Sequence, residues 1–357
     1  MGAAESGDVE FCTSEVGFAE VGSAQVCYTQ IRTLEVGSAQ VDAAEVGLSQ
    51  VDSGKVSLSG GIFIQEFLDC HGGDTLSNIP ILIVMNIGIV GLGLIGGSIG
   101  LDLRSRGLYV FGVSSREQTC HRAVARGVAD EASVNLSLMA AADVVFICTP
   151  LGSIESIARQ LVPHLSPTAI VTDVGSVKSP IVQAVSSLWP SFVGGHPMAG
   201  TAQSGIEAAV RDLFVGRPYV VTPTAETPMA AVEGVEEIAR LLGSDVYRCG
   251  PEDHDRAVAA ISHLPLFASA TLVAACAKEG DRDLVNLAQH LASSGFRDTS
   301  RVGGGNPELG VMVARYNRVE LLRSLSIYRD CLDEFISCIE AEDWQALEQK
   351  LKLTQKA

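Results

Sequence analysis

Apolar positions along the chain follow two regimes that change near residue 250. Before it, short runs rich in Val, Ile and Phe recur at 86–90, 109–113, 143–148, 169–172, 192–193 and 219–221, alternating with helical stretches. Runs of branched residues bounded by turns predict strands, and strands alternating with helices predict an open, mostly parallel α/β sheet. After it the apolar period becomes helical, which predicts helices over 251–276 (kinked at Pro265), 281–291, 307–324, 326–339 and 343–353. Asn306-Pro307 is a helix-start signal, with proline at the first helical position. The segment 293–310 is polar, glycine-rich and basic at Arg297 and Arg301, and reads as a long functional loop. The chain therefore divides into 1–84, 85–249 and 250–357.

Two segments break this pattern. Residues 15–56 repeat with a period of five, marked by Val16, Val21, Val26, Ile31, Val36, Val41, Val46, Val51 and Val56. Five matches neither the helical 3.6 nor the strand period of 2, so the segment is neither an amphipathic helix nor a plain strand. The spacing resembles pentapeptide-repeat β-helices, but nine repeats make barely two square coils, fewer than a stacked solenoid generally needs. Residues 1–84 are read as a low-complexity, largely disordered extension. Residues 75–101 carry no charge and could pass as a membrane span. Their internal grammar is instead strand, glycine turn and helix, continued without a break by the charged stretch 102–106.

That turn holds Gly91-Leu92-Gly93-Leu94-Ile95-Gly96, a GxGxxG sequence after a strand and opening a helix. Its glycines permit a tight turn, close approach of backbone to a pyrophosphate, and helix packed against strand; the helix N-terminus favours the anion. The next strand ends in Ser114-Ser115-Arg116, where an NAD site would place Asp or Glu. Hydroxyls and a guanidinium suit a 2′-phosphate that a carboxylate would repel, so NADP is the expected cofactor, with NAD possible. Glu117, one residue past Arg116, is read as facing away. Ligands in such sheets bind at the carboxyl ends of strands. Three polar segments fall there: Thr149-Pro150, Asp173 to Lys178, and Gly194 to Pro197 with His196.

Composition narrows the function classes. Residues 1–84 carry 12 acidic and 2 basic side chains, and the whole chain is −17, so there is no basic surface for a nucleic-acid backbone. Nine scattered cysteines without a CxxC pair fit a reduced, cytoplasmic protein. No basic n-region begins the chain, and neither a secretory signal nor a membrane anchor is expected. Asp253-His254-Asp255 could suggest a metal, but successive helical residues point apart, and the trio reads as the acidic first turn of a helix.

DVGSVKSPI, GGHPMAGTAQSGI, ISHLPLFASA and SSGFRDTSRVGGGNPELG, in this order behind the GLGLIG turn, resemble the prephenate/arogenate dehydrogenase family of tyrosine biosynthesis, most of all its short arogenate dehydrogenases. The resemblance covers residues 85–353 and leaves 1–84 without a counterpart. It implies a Rossmann-type dinucleotide-binding domain followed by an all-helical dimerisation domain, and hence a homodimer. It also implies oxidative decarboxylation: hydride leaves the ring carbon bearing the 4-hydroxyl, the ring loses CO2, and aromatisation drives the reaction. His196 matches the family's catalytic histidine, which accepts the hydroxyl proton, and Ser176 matches the serine that hydrogen-bonds that histidine and the substrate; alone, Ser176 would read as a helix cap. His263 and Arg301 match substrate-binding positions, Arg301 gripping the ring carboxylate. Lys178 resembles the catalytic lysine of related hydroxyacid dehydrogenases and is read as a residue of the site rim. Ala202 stands where some prephenate-preferring members carry an acid, which favours arogenate. Two alternatives are a prephenate dehydrogenase using NAD or NADP and a non-catalytic dinucleotide sensor; histidine and serine at adjacent strand ends argue against the sensor, which needs no proton acceptor.

Overall fold

A computed structural model describes residues 85–357 apart from Ala202, Glu279 and Ala357, and only short strands within 1–84. Among those strands, Phe18–Val21 pairs with Ala24–Cys27 and Phe63–Gln65 with Leu82–Val84, both antiparallel. The expectation of a disordered extension otherwise lies outside the described residues.

From residue 86 the chain builds an eight-stranded sheet. In chain order its strands are β1 (Asn86–Val90), β2 (Tyr109–Val113), β3 (Glu131–Ser133), β4 (Val144–Ile147), β5 (Ile170–Asp173), β6 (Phe192–Pro197), β7 (Pro218–Thr222) and β8 (Asp245–Arg248). They lie in the order β3-β2-β1-β4-β5-β6-β7-β8, all parallel except the β6–β7 pair. Order reverses between β1 and β4, and a crevice opens at such a switch point. The helices α1 (Leu94–Ser105), α2 (Glu117–Ala125), α3 (Ile154–Leu161), α4 (Ser179–Ser186) and α5 (Met229–Leu241) connect the strands.

The sheet is buried on both faces. Along β4, Val144 and Phe146 join the core under α1 and α5, while Val145 and Ile147 join the core under α3 and α4. A strand buried on both faces has no polar alternation, which is why residues 86–90 resemble a membrane segment in isolation. Two edge strands, β3 and β8, escape the sequence reading because they carry few apolar residues (Glu-Ala-Ser and Asp-Val-Tyr-Arg). β6 also runs on beyond Val193: Gly194 to Pro197 have low strand propensity, but their backbone pairs with β7, as in His196 opposite Val220.

The second part is helical: α6 (Pro251–Val258), a π turn (Ala259–His263), α7 (Leu264–Ala277), α8 (Arg282–Leu291), α9 (Ser294–Ser300), a 3₁₀ turn (Arg301–Gly304), α10 (Pro307–Tyr316), α11 (Arg318–Glu340) and α12 (Trp344–Lys356). The kink expected at Pro265 is taken up by the π turn before it, as suits a residue that cannot donate to the helix ladder. Asn306 caps α10 by accepting from the Glu308 N–H, with Pro307 at the first position. Two expectations need correction. The helix break falls at Asn317 rather than 325, because apolar periodicity runs on across the break while the Asn317 backbone leaves the helical region (φ −112°, ψ 37°). The segment 293–310 is not a structureless loop; it forms α9 and the 3₁₀ turn, tied to α7 by the Gly303 N–H donating to Ser269 Oγ at 2.8 Å.

Pro251–Ala277 is long and apolar enough by composition to cross a bilayer, yet its His254, Asp255 and His263 are buried in contacts with other elements. Large apolar side chains elsewhere on these helices stand exposed, among them Leu291, Val311, Val319 and Leu353.

Packing of α1 against the turn between α2 and β3 leaves no room for a side chain at Gly100, where an added Cβ would sit 2.3 Å from the Val128 carbonyl oxygen. Gly100→Ala should therefore destabilise the protein by about 1–3 kcal/mol, the usual range for overpacking. Urea denaturation of the parent and the variant measures this; equal midpoints would mean that α1 shifts freely.

Candidate active site

The glycine turn between β1 and α1 has the geometry its sequence calls for. Gly91 adopts φ +109°, a left-handed conformation that L side chains avoid, and its N–H donates to Val113 O at 2.8 Å. At Gly96 a Cβ would lie 2.2 Å from Gly91 O, whereas at Gly93, the N-cap of α1, it would meet nothing within 4 Å. Space is thus left open where a ligand phosphate would approach backbone N–H groups. Leu92 is buried and Ile95 half-buried beneath the turn, while Thr149 Oγ1, beside Pro150 after β4, is buried without a partner among the described residues. These features fit a dinucleotide. Ser114, Ser115 and Arg116 follow β2 on the same sheet edge; Ser115 and Arg116 are exposed, and Glu117 is the exposed first residue of α2.

A second cluster lies at the carboxyl ends of β5 and β6. His196, buried in β6, places Nδ1 2.8 Å from His254 Nε2, and His254 Nδ1 lies 2.8 Å from Asp255 Oδ1. Asp255 also accepts from the backbone N–H groups of Lys178 (2.7 Å) and Ser179 (2.8 Å). Burial works to raise the Asp255 pKa, but the bonds from His254, Lys178 and Ser179 hold it below the usual carboxylate value. Asn317 Nδ2 donates to the Asp255 carbonyl (2.8 Å) and to His263 Nδ1 (3.1 Å). Since Nδ1 of His263 accepts, its Nε2 is the protonated nitrogen when the ring is neutral, and among the described residues this buried N–H has no partner. An unsatisfied buried donor marks a place for a ligand oxygen.

Burial, followed by His254, Lys178 and His263, pushes the His196 pKa well below the histidine norm. His263 is pushed down to about 4, chiefly by burial. Lys178 is completely buried, which corrects its placement on the site rim: it pairs with buried Asp173 and donates to Gly195 O at 2.7 Å. Burial lowers the Lys178 pKa while Asp173 opposes the shift.

The structure thus gathers His196, His263 and Lys178 with three residues that the sequence reading did not assign to the site: His254, Asp255 and Asn317. For the first two a signal existed. The reading of Asp253-His254-Asp255 as an acidic first turn holds only for exposed Asp253 and is corrected for the other two: Pro251, His254, Asp255 and Val258 share the buried face of α6 at positions i, i+3, i+4 and i+7. Polar residues on an apolar face ask for partners. Asn317 left no such signal. Ser176 is half-buried and, among the described residues, has no side-chain hydrogen bond, and Arg301 is exposed on its 3₁₀ turn without an ion pair.

Comparison with known proteins places both parts of the chain in one family. Residues 99–248 match the prephenate dehydrogenase nucleotide-binding domain, and residues 250–353 match the prephenate dehydrogenase dimerization domain. Prephenate dehydrogenase of Bacillus subtilis is 32% identical over 269 residues, 72% of this chain and 71% of that protein. The chain belongs to the prephenate/arogenate dehydrogenase family. It is an oxidoreductase of tyrosine biosynthesis by that membership. The crystal structure of Synechocystis arogenate dehydrogenase is 53% identical with a TM-score of 0.71, covering 76% of this chain and 98% of that one. Prephenate dehydrogenase from Aquifex aeolicus, in complex with hydroxyphenyl propionate and NAD+, is 28% identical with a TM-score of 0.72, covering 77% and 97%.

The depressed histidines make stability pH-dependent. An unfolded histidine binds a proton below pH about 6.5, which the folded His196 and His263 do not. Stability conferred by this family member's neutral histidines is therefore complete above that pH and falls as pH drops toward about 4, the value for His263. Urea midpoints at pH 7 and 5 should fall less in His263→Gln than in the parent; equal falls would mean that His263 titrates normally.

Proposed function

We propose that this protein is an NADP-dependent arogenate dehydrogenase, converting arogenate to tyrosine by oxidative decarboxylation. The observation that carries the reading is a buried histidine, His196, beside a second histidine with an unsatisfied N–H, His263, on the same sheet edge as the dinucleotide turn. His196 takes the proton of the ring 4-hydroxyl and returns it to the oxygen once aromatisation leaves a phenolate. When bound, the dinucleotide supplies the hydride acceptor. His263 donates to a substrate oxygen, Ser176 orients the hydroxyl, and Arg301 grips the ring carboxylate that leaves as CO2. Gly91, Leu92, Gly93, Ile95, Gly96, Thr149 and Pro150 hold the dinucleotide. The helical part, with its exposed apolar side chains, pairs two chains as a homodimer.

Arogenate is favoured by Ala202 and by the 53% identity to the Synechocystis arogenate dehydrogenase. NADP is favoured by Ser114, Ser115 and Arg116 at the end of β2. Mixing the protein with NADP or NAD and with arogenate or prephenate, and following reduced cofactor by absorbance, should give the highest kcat/KM for NADP with arogenate. Arg116→Asp should then lower kcat/KM for NADP far more than for NAD, because it exchanges attraction for repulsion at the 2′-phosphate. Comparable values for both cofactors in the parent would remove the assignment.

His196→Asn should lower kcat by ~10²–10⁴ at unchanged dinucleotide affinity, the usual range for a lost general base. In the parent, kcat/KM should hold its plateau below pH about 6.5, because the base stays neutral where a solvated histidine is protonated. A variant keeping most of its activity would assign the proton to another group.

A further inference from the structure

His196, His254 and Asp255 form a buried row that crosses from the sheet to the first helix of the helical part. The His196 and His254 rings meet edge to face, with centroids 5.1 Å apart and planes at 73°. The direction of the first hydrogen bond in the row is set from the far end. Asp255 Oδ1 accepts from the Lys178 N–H and Oδ2 from the Ser179 N–H, and a backbone N–H can only donate. The carboxylate is thus an acceptor at both oxygens, and the hydrogen between Asp255 Oδ1 and His254 belongs to His254 Nδ1. In a neutral imidazole the other nitrogen then holds a lone pair. With His254 neutral, its Nε2 accepts, His196 Nδ1 donates, and the lone pair of His196 is left on Nε2.

We propose that His254 and Asp255 are positioning residues that hold His196 in its Nδ1–H tautomer, so that Nε2 is the atom that takes the substrate proton. The inference rests on the reading of His196 as the proton acceptor. In that step the substrate O–H bond breaks and an N–H bond forms at Nε2. The ring becomes a cation, already donating from Nδ1 toward a histidine backed by a carboxylate. The other charged or titratable groups around His196 are Lys178 with Asp173 beneath β6, and His263 from the π turn. Lys178 and His263 disfavour a cation there, as does His254 when it is itself charged, so a neutral His254 backed by the Asp255 carboxylate is what receives the Nδ1 hydrogen bond on the α6 side. Without His254 the ring is free to adopt the opposite tautomer, which offers a hydrogen where the lone pair is needed.

Two measurements decide this. The first is 15N NMR of the full chain labelled at its seven histidines, with His196 assigned by the signals lost in His196→Asn. His196 should carry hydrogen on Nδ1 and a lone pair on Nε2; the opposite tautomer overturns the proposal without reference to activity. The second compares His254→Leu with His254→Gln, whose amide oxygen can accept from His196 Nδ1. The leucine variant should lose about 10- to 100-fold in kcat with KM and NADP affinity little changed, and the glutamine variant should recover part of the loss. Full kcat in His254→Leu, while His196→Asn is inactive, overturns the positioning role alone. Full kcat in His196→Asn instead removes the reading of the base, and the spectra still report the tautomer.

Discussion

The Asp255 carboxylate ties the start of α4 to α6 and so helps to join the two parts of the chain. It accepts from two successive backbone N–H groups at the start of α4 and from His254 beside it in α6, at 2.7–2.8 Å. A helix N-terminus leaves its first N–H groups without intrahelical partners, and here Pro180 has none to offer while Lys178 and Ser179 do. No local side chain caps them, so a carboxylate 76 residues further along the chain does so. The helix dipole favours a negative charge at that end. Loss of this carboxylate would strand three donors in a buried place, which costs far more than the net worth of any one bond. The same contact sets the turn carrying Ser176 and Lys178 against the helix carrying His254.

Below it, Asp173 and Lys178 form a buried ion pair whose ammonium also donates to the Gly195 carbonyl. Buried pairs add little to stability because desolvation offsets their attraction; breaking one is costly because the survivor is left uncompensated. What this pair does is hold β6 where its neighbours change from parallel β5 to antiparallel β7. His196 sits one residue past Gly195, in a dry place next to a cation, and remains neutral as a result.

The helical part follows a different economy. Its helices bury few of their apolar residues within one chain: Val319 is 73% exposed and Leu291 71%. A folded single chain rarely leaves such a surface uncovered, and this region is the one that matches the family's dimerization domain. On the same surface apolar periodicity continues across Asn317, so no change of pattern marks the break between α10 and α11.

Local pattern determined a good deal by itself. Strand, turn and helix at residues 86–105, the dinucleotide turn, the alternation that builds the sheet and the start of α10 at Pro307 are all consequences of short-range backbone chemistry, where each residue's conformational limits act on its immediate neighbours. The resemblance of four short segments was enough to single out His196. The tertiary structure alone decided what surrounds that histidine. His254 is 58 residues away, Asn317 looks like any polar helical residue, and Lys178 looks like a solvated one until Asp173 and Gly195 enclose it. Hydrogen-bond partners and local dielectric depend on which segments the fold brings within about 3 Å, and no local pattern encodes that distance.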